Sequence, residues 1–366
     1  AVACGDAVQV WDFGFSPAAH GFRVSDGLLA GVAWHESGET FVVAENQSGL
    51  PGKAALVGEW KPDGTPQLLA LVGNVRGERV QWASRGSRVV LTASMSALQP
   101  DPSQPVRDYK VSRVIEWAAN QTRAHPDCFV PEGVQAGAVS HDGQRYATVG
   151  GISRKTNRGQ VRLWDLGSGK LDETWAVEEL KAPGSAAEWT PDGRLVVAWG
   201  SLLTVLDGQS GEVRARHSVP GGRVSIMNLA AQPQGDVLAA ATPTKLVLFD
   251  LAREADPPFA RLDLEGVTCL DWSQSGRFLA VGTSDALQVW SYDADARSLT
   301  LLCALPADDR IVASDWNAQD QLVCGFRRGT VNVFDLPRLL ADPEPLDAVL
   351  EATGLTRADL EHELGR

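Results

Sequence analysis

Arg107, Lys110, Arg154, Lys155 and Arg158 form the largest basic grouping in an otherwise acidic chain, with Tyr109 standing among them. Guanidinium groups fork onto carboxylates through paired hydrogen bonds, so such a grouping suits recognition of an acidic peptide or protein surface. Tyr109 would be a fitting aromatic anchor beside it. The same residues also suit a solvated loop that merely keeps polar side chains. Catalytic chemistry is harder to find. His20, His35, His125, His141, His217 and His362 are scattered, and none has a second ligand-type residue at metal spacing. Asp293 and Asp295 alternate, but the glycine and distal glutamate of a calcium loop are missing. Nucleophile elbows, phosphate loops and zinc-protease helices are absent from the sequence. The sequence therefore assigns no catalytic residue, metal ligand or cofactor, and a non-enzyme is expected.

Composition narrows the partners. The 366 residues are 44% hydrophobic and 22% charged, which is ordinary for a folded chain. A net charge of −13 argues against nucleic acid, because phosphate contacts need lysine and arginine. No apolar run approaches the ~18 residues of a membrane-spanning helix, so membrane insertion is not expected. Five cysteines without a C-x-x-C pair read as buried thiols in a reducing, cytoplasmic compartment. Arginine far outnumbers lysine, which fits a high-GC, bacterial genome.

The elements that position these residues come from a repeat. A β-rich run ending in an aromatic or apolar residue, usually followed by Asp, recurs along the chain. It reads VQVWD at 8–12, VRLWD at 161–165, LTVLD at 203–207, LVLFD at 246–250 and VNVFD at 331–335. Weaker copies are LVGEW at 56–60, VIEW at 114–117 and LQVWS at 287–291. The eight end positions are Trp11, Trp60, Trp117, Trp164, Leu206, Phe249, Trp290 and Phe334, and successive spacings are 49, 57, 47, 42, 43, 41 and 44 residues. Such a period with strand-like units is the signature of a propeller blade. Between copies lies a strand ending in W-x-x-x-G or a variant, as in WHESG from Trp34, WTPDG from Trp189 and WSQSG from Trp272. Asp and Gly there make tight turns. Each unit thus runs strand a, turn, strand b, loop, strand c, strand d.

These W-D ends and P-D-G turns resemble the WD-repeat β-propeller family, over residues 1 to about 336. The resemblance implies an all-β fold of four-stranded antiparallel blades. Without a Gly-His dipeptide the family's Asp-His-Ser-Trp tetrad cannot be complete, although Asp285 matches its tight-turn Asp. Trp164, Trp290 and Phe334 are expected between neighbouring blades, and Trp175 and Trp199 also read as packing residues.

Eight copies of strand c favour eight blades over seven, the alternative being a seven-bladed ring with a stray N-terminal hairpin. The first copy has no room upstream for its turn, so the chain is expected to start in strand b at 1–4. Residues 337–366 read as a proline-containing linker and a short helical tail in which Leu360 and Leu364 share a face. That tail would dock on the rim or contact a partner. In the first three full blades the b–c loops are lengthened, roughly at 46–53, 94–108 and 150–159. Antiparallel strands put all these loops on one face of the disc, and insertions confined to one face often mark the binding face of a repeat protein. The leading expectation is a scaffold gripping a protein partner there. The alternatives are a channel-based enzyme or small-ligand binder, or a sensor propeller cut from a larger chain.

Overall fold

The computed structural model describes residues 2–4, 7–9, 19–24, 26–47, 54–73, 76–83, 87–96, 108–118, 121–124, 128–129, 134–150, 159–168, 170–177, 184–220, 224–253, 257–307 and 309–341. Seven sheets of antiparallel strands stand around a central channel. Their innermost strands, a, are Leu28–Trp34, Arg76–Ala83, Val134–Val139, Gly184–Trp189, Asn228–Ala231, Cys269–Trp272 and Ile311–Trp316. Each packs on the next, and the last packs on the first. Blades 1 to 7 take their numbers in this order.

Seven blades, not eight, correct the sequence expectation. Strands a to c of blade 7 are Ile311–Trp316, Gln321–Phe326 and Thr330–Asp335, and a short helix, Leu336–Ala341, follows where strand d would come. Ala19–Arg23 fills that place, with Phe22 opposite Val331 and His20 opposite Val333. The segment that an eighth blade would have used as its outer strand instead closes the ring. Val2–Cys4 pairs with Ala7–Gln9 in a separate two-stranded hairpin. Local patterning produces an eighth copy, but a blade needs four paired strands, and Ala19–Arg23 is already paired into blade 7. The tail expected to be helical, 346–366, lies outside the described residues, as does Trp11.

The a–b turns form as their residues demand. Ser140 and Thr190 hydroxyls donate to Asp142 and Asp192 two residues on, and Gly143, Gly193 and Gly276 take φ of 66°, 85° and 68°. Only glycine adopts such angles without steric cost.

Between blades the packing is aromatic. Trp164, Trp290 and Phe334 are 6%, 4% and 5% exposed, each within a core cluster shared by adjacent blades. Trp175 and Trp199 are buried as well. A second latch recurs at the channel end of strand a. The indole N–H of Trp82, Trp189, Trp272 and Trp316 donates to the carbonyl of Ala33, Ala138, Ala230 and Asp271 on the preceding blade, at 3.0 to 3.2 Å. On the opposite side of the blade, Arg145 and Arg194 reach the carbonyls of Gly208 and Leu251 on the following blade, both at 2.9 Å. A buried N–H left unpaired costs more than its bond contributes, so these latches fix blade spacing as well as stability.

Candidate functional site

Strand boundaries define the asymmetry of one face. In blades 1 to 3 the b–c connections span 47–53, 97–107 and 151–158. In blades 4 to 7 they span 200–201, 242–244, 283–285 and 327–329. Seven, eleven and eight residues thus face two or three, in consecutive blades and on the face shared with the d–a connections. Thr283 and Asp285 show how a short one is held: the threonine hydroxyl donates to the aspartate at 2.7 Å and receives the Ala286 N–H at 2.9 Å.

Arg107, Arg154, Lys155 and Arg158 fall on connections outside the described residues. Tyr109 and Lys110 are not loop residues. Strand b of blade 2 runs to Ser96 and strand c begins at Asp108, with Tyr109 opposite Met95 and Lys110 opposite Ser94. The main chain of both therefore stands at the root of the longest connection.

The channel holds what sequence reasoning missed. It encloses about 800 Å³, lined by strand a of all seven blades and several a–b turns. The residue preceding the strand-a tryptophan is Glu188 in blade 4, Asp271 in blade 6 and Asp315 in blade 7, and all three line the wall. Glu36, Glu78 and Asp142 add further carboxyls against the single guanidinium of Arg79. Asp315 accepts the main-chain N–H groups of Trp34 on blade 1 and of its own neighbour Trp316. It also shares a hydrogen bond with Asp271.

Burial raises all three carboxyls. Glu188 is pushed up to about 7, with Arg79 pulling the other way and Asp315 adding to the rise. Asp315 reaches about 6, its hydrogen bonds opposing the cost of burial. Asp271 is raised well above the carboxylate range by burial and then by the adjacent Asp315 charge. Burial also lowers His141 at the channel mouth, opposed by the hydrogen bond it donates to the Trp189 main chain and by the Asp142 charge. Glu-Trp or Asp-Trp at the end of strand a was a visible signal, but strand a had not been assigned an inner face. Among the described residues no group of three or more His, Cys, Asp or Glu is placed to hold a metal ion.

A group whose folded pKa is raised stabilises the fold at low pH and loses that contribution as pH rises through the folded value. For Glu188 the window runs from 4.5, its ordinary value, to about 7. Stability is expected to fall by about 2 kcal/mol across it, discounted for the water-accessible channel. Glu188→Gln should flatten that part of the dependence in denaturant titrations. An unchanged slope in the variant would show that this carboxyl is not held protonated.

Seven antiparallel blades, six of four strands and one whose outer edge is split into Gln121–Ala124 and Cys128–Phe129, closed by an N-terminal strand, have the fold of the WD40 β-propellers. The chain superposes on the crystal structure of the RRP9 WD40 repeats with a TM-score of 0.66 at 13% identity, covering 87% of this chain and 98% of that one. The structure of U3-55K gives 0.65 at 13% identity with the same coverage. These likenesses are of fold. In sequence, Cell division cycle 20.1, cofactor of APC complex, from Arabidopsis thaliana is 29% identical over 133 residues, or 36% of this chain. The match spans 29% of the relative's own length. No protein-family model matches the chain. Within blade 3 the Trp164 indole donates to Thr148 Oγ1 at 3.0 Å across strands c and b.

Proposed function

We propose that this chain is a non-catalytic protein-interaction scaffold that grips an acidic peptide or protein on the b–c face of blades 1 to 3. The lengthened connections in three consecutive blades carry this reading, because a ring that needs only two or three residues there gains nothing structural from eleven. Arg107, Tyr109, Lys110, Arg154, Lys155 and Arg158 are the proposed contacts. The plant relative's name, a cofactor of a complex, supports a role in assembly. Leu360 and Leu364 on the C-terminal segment are a proposed secondary contact. A cytoplasmic location is proposed from the buried free thiols of Cys269, Cys303 and Cys324.

Affinity capture from the source cell tests the main reading. The intact chain is compared with one whose 151–158 connection is replaced by three residues, the length used in blades 5 to 7. The expected result is loss of the captured partner with an unchanged melting temperature. Equal capture by both chains would overturn it.

The carboxyl-rich channel favours a second reading, in which the propeller binds a small ligand or side chain bearing an ammonium or guanidinium group. Binding lost in Glu188→Gln but kept in the shortened chain would identify that mode.

A further inference from the structure

The seam where the ring closes lacks the indole latch although its strand a ends in a tryptophan, whereas strands a of blades 3 and 5 end in Val139 and Ala231 and carry no indole there. At four interfaces the strand-a indole latches onto the preceding blade's carbonyl. Between blades 7 and 1 the corresponding Trp34 indole N–H is buried with no acceptor. There the Asp315 carboxyl takes the Trp34 main-chain N–H, beside main-chain and Asn317–Gly38 hydrogen bonds and an apolar cluster that also join blades 7 and 1. Asp315 is in turn hydrogen-bonded to Asp271 on blade 6. Two carboxyls can share a hydrogen bond only if at least one carries a proton.

We propose that Asp271 and Asp315 form a proton-dependent clasp across blades 6, 7 and 1, holding the closing seam while they share a proton and loosening it when that proton is lost. The shared proton supplies Asp271 as donor and leaves Asp315 free to accept both main-chain N–H groups. Its loss places two like charges at hydrogen-bond distance, facing Glu188 from blade 4, with Arg79 of blade 2 the one Arg or Lys among the described residues that line the channel. Strand a of blades 1, 3 and 5 brings no titratable side chain. Cys269 of blade 6 and Cys324 of blade 7 are neutral neighbours whose thiols burial pushes upward. Glu78 lines the wall, and His35, Glu36, His141 and Asp142 stand at the a–b mouth. The raised Asp271 fits this arrangement, since burial and the Asp315 charge both favour retention of its proton. A group raised in the fold contributes stability below its folded pKa and loses it above, so the seam loosens on the alkaline side.

Hydrogen–deuterium exchange on the full chain tests this, comparing peptides over 28–35 and 311–317 with those over 134–139 and 228–231, strands without a titratable side chain, as an internal reference. Taking the ratio removes the intrinsic pH dependence of exchange. Between pH about 6 and about 10 the seam peptides should speed up by about tenfold relative to the reference. Asp271→Asn, whose amide donates at every pH, should abolish that change. A constant ratio in the native chain, or the same acceleration in the variant, would overturn the proposal. Should Asp271→Asn fail to fold, infrared titration of the Glu188→Gln chain decides. A protonated-carboxyl band at neutral pH that vanishes on the alkaline side supports the clasp, and its absence at neutral pH overturns it.

Discussion

Trp272→Ala is expected to lower stability by about 3–5 kcal/mol, the range for deleting a large buried aromatic. Trp272 is 2% exposed and packs within the cluster that joins blades 5 and 6. Its indole N–H bonds to the Ala230 carbonyl at 3.2 Å, and its ring meets Tyr292 edge-on at 5.5 Å. Truncation therefore opens a cavity, strands a buried carbonyl and removes an aromatic pair at one stroke. Neighbouring strands a cannot close the gap, because both are held in their own sheets. Leu171→Ala is the control: its side chain lies on a blade's outer strand, 46% exposed, and should change stability by no more than about 0.5 kcal/mol. Equilibrium denaturation of the two variants would measure the difference. Equal midpoints would mean that the strand-a tryptophan is a spacer and the interface is held elsewhere.

The same tryptophan shows how far the sequence can be read. The W-x-x-x-G spacing located the end of strand a and its turn, and Gly276 takes the positive φ that such a turn needs. Strand c was equally legible, since alternation puts Trp290 and Phe334 on the inter-blade side. The blade count was not. VQVWD at 8–12 carries the local signature as well as any copy, yet ring membership depends on which distant strand pairs with which. The pairing of Ala19–Arg23 with Thr330–Asp335 joins segments more than 300 residues apart, beyond any periodic pattern. The channel acids were hidden for a related reason. The W-x-x-x-G pattern marks where strand a ends but not which of its side chains face the axis. Asp271 and Asp315 could then be recognised only by folding blades 6 and 7 together. Tyr109 and Lys110 lie at the start of a strand c that runs eleven residues, Asp108–Ala118, longer than the repeat suggests.

Replacing Arg154, Lys155 and Arg158 together with Ala is expected to weaken partner binding by about tenfold to a hundredfold at low salt, with no loss of fold. The three residues fall between Gly150, where strand b of blade 3 ends, and Gly159, where strand c begins. Three cations within five positions repel one another, and a chain of net charge −13 gains nothing by grouping them unless a negative surface meets them. Attraction of this kind is screened over about 8 Å at physiological ionic strength. Affinity of the intact chain should therefore fall as salt is added, while that of the triple variant should stay nearly flat. The two curves should converge at high salt, where only apolar and shape contacts remain. A salt titration with the captured partner measures both slopes. Parallel curves would remove these residues from the interface, and protection of the a–b turns by the partner would move the interface to the other face of the ring.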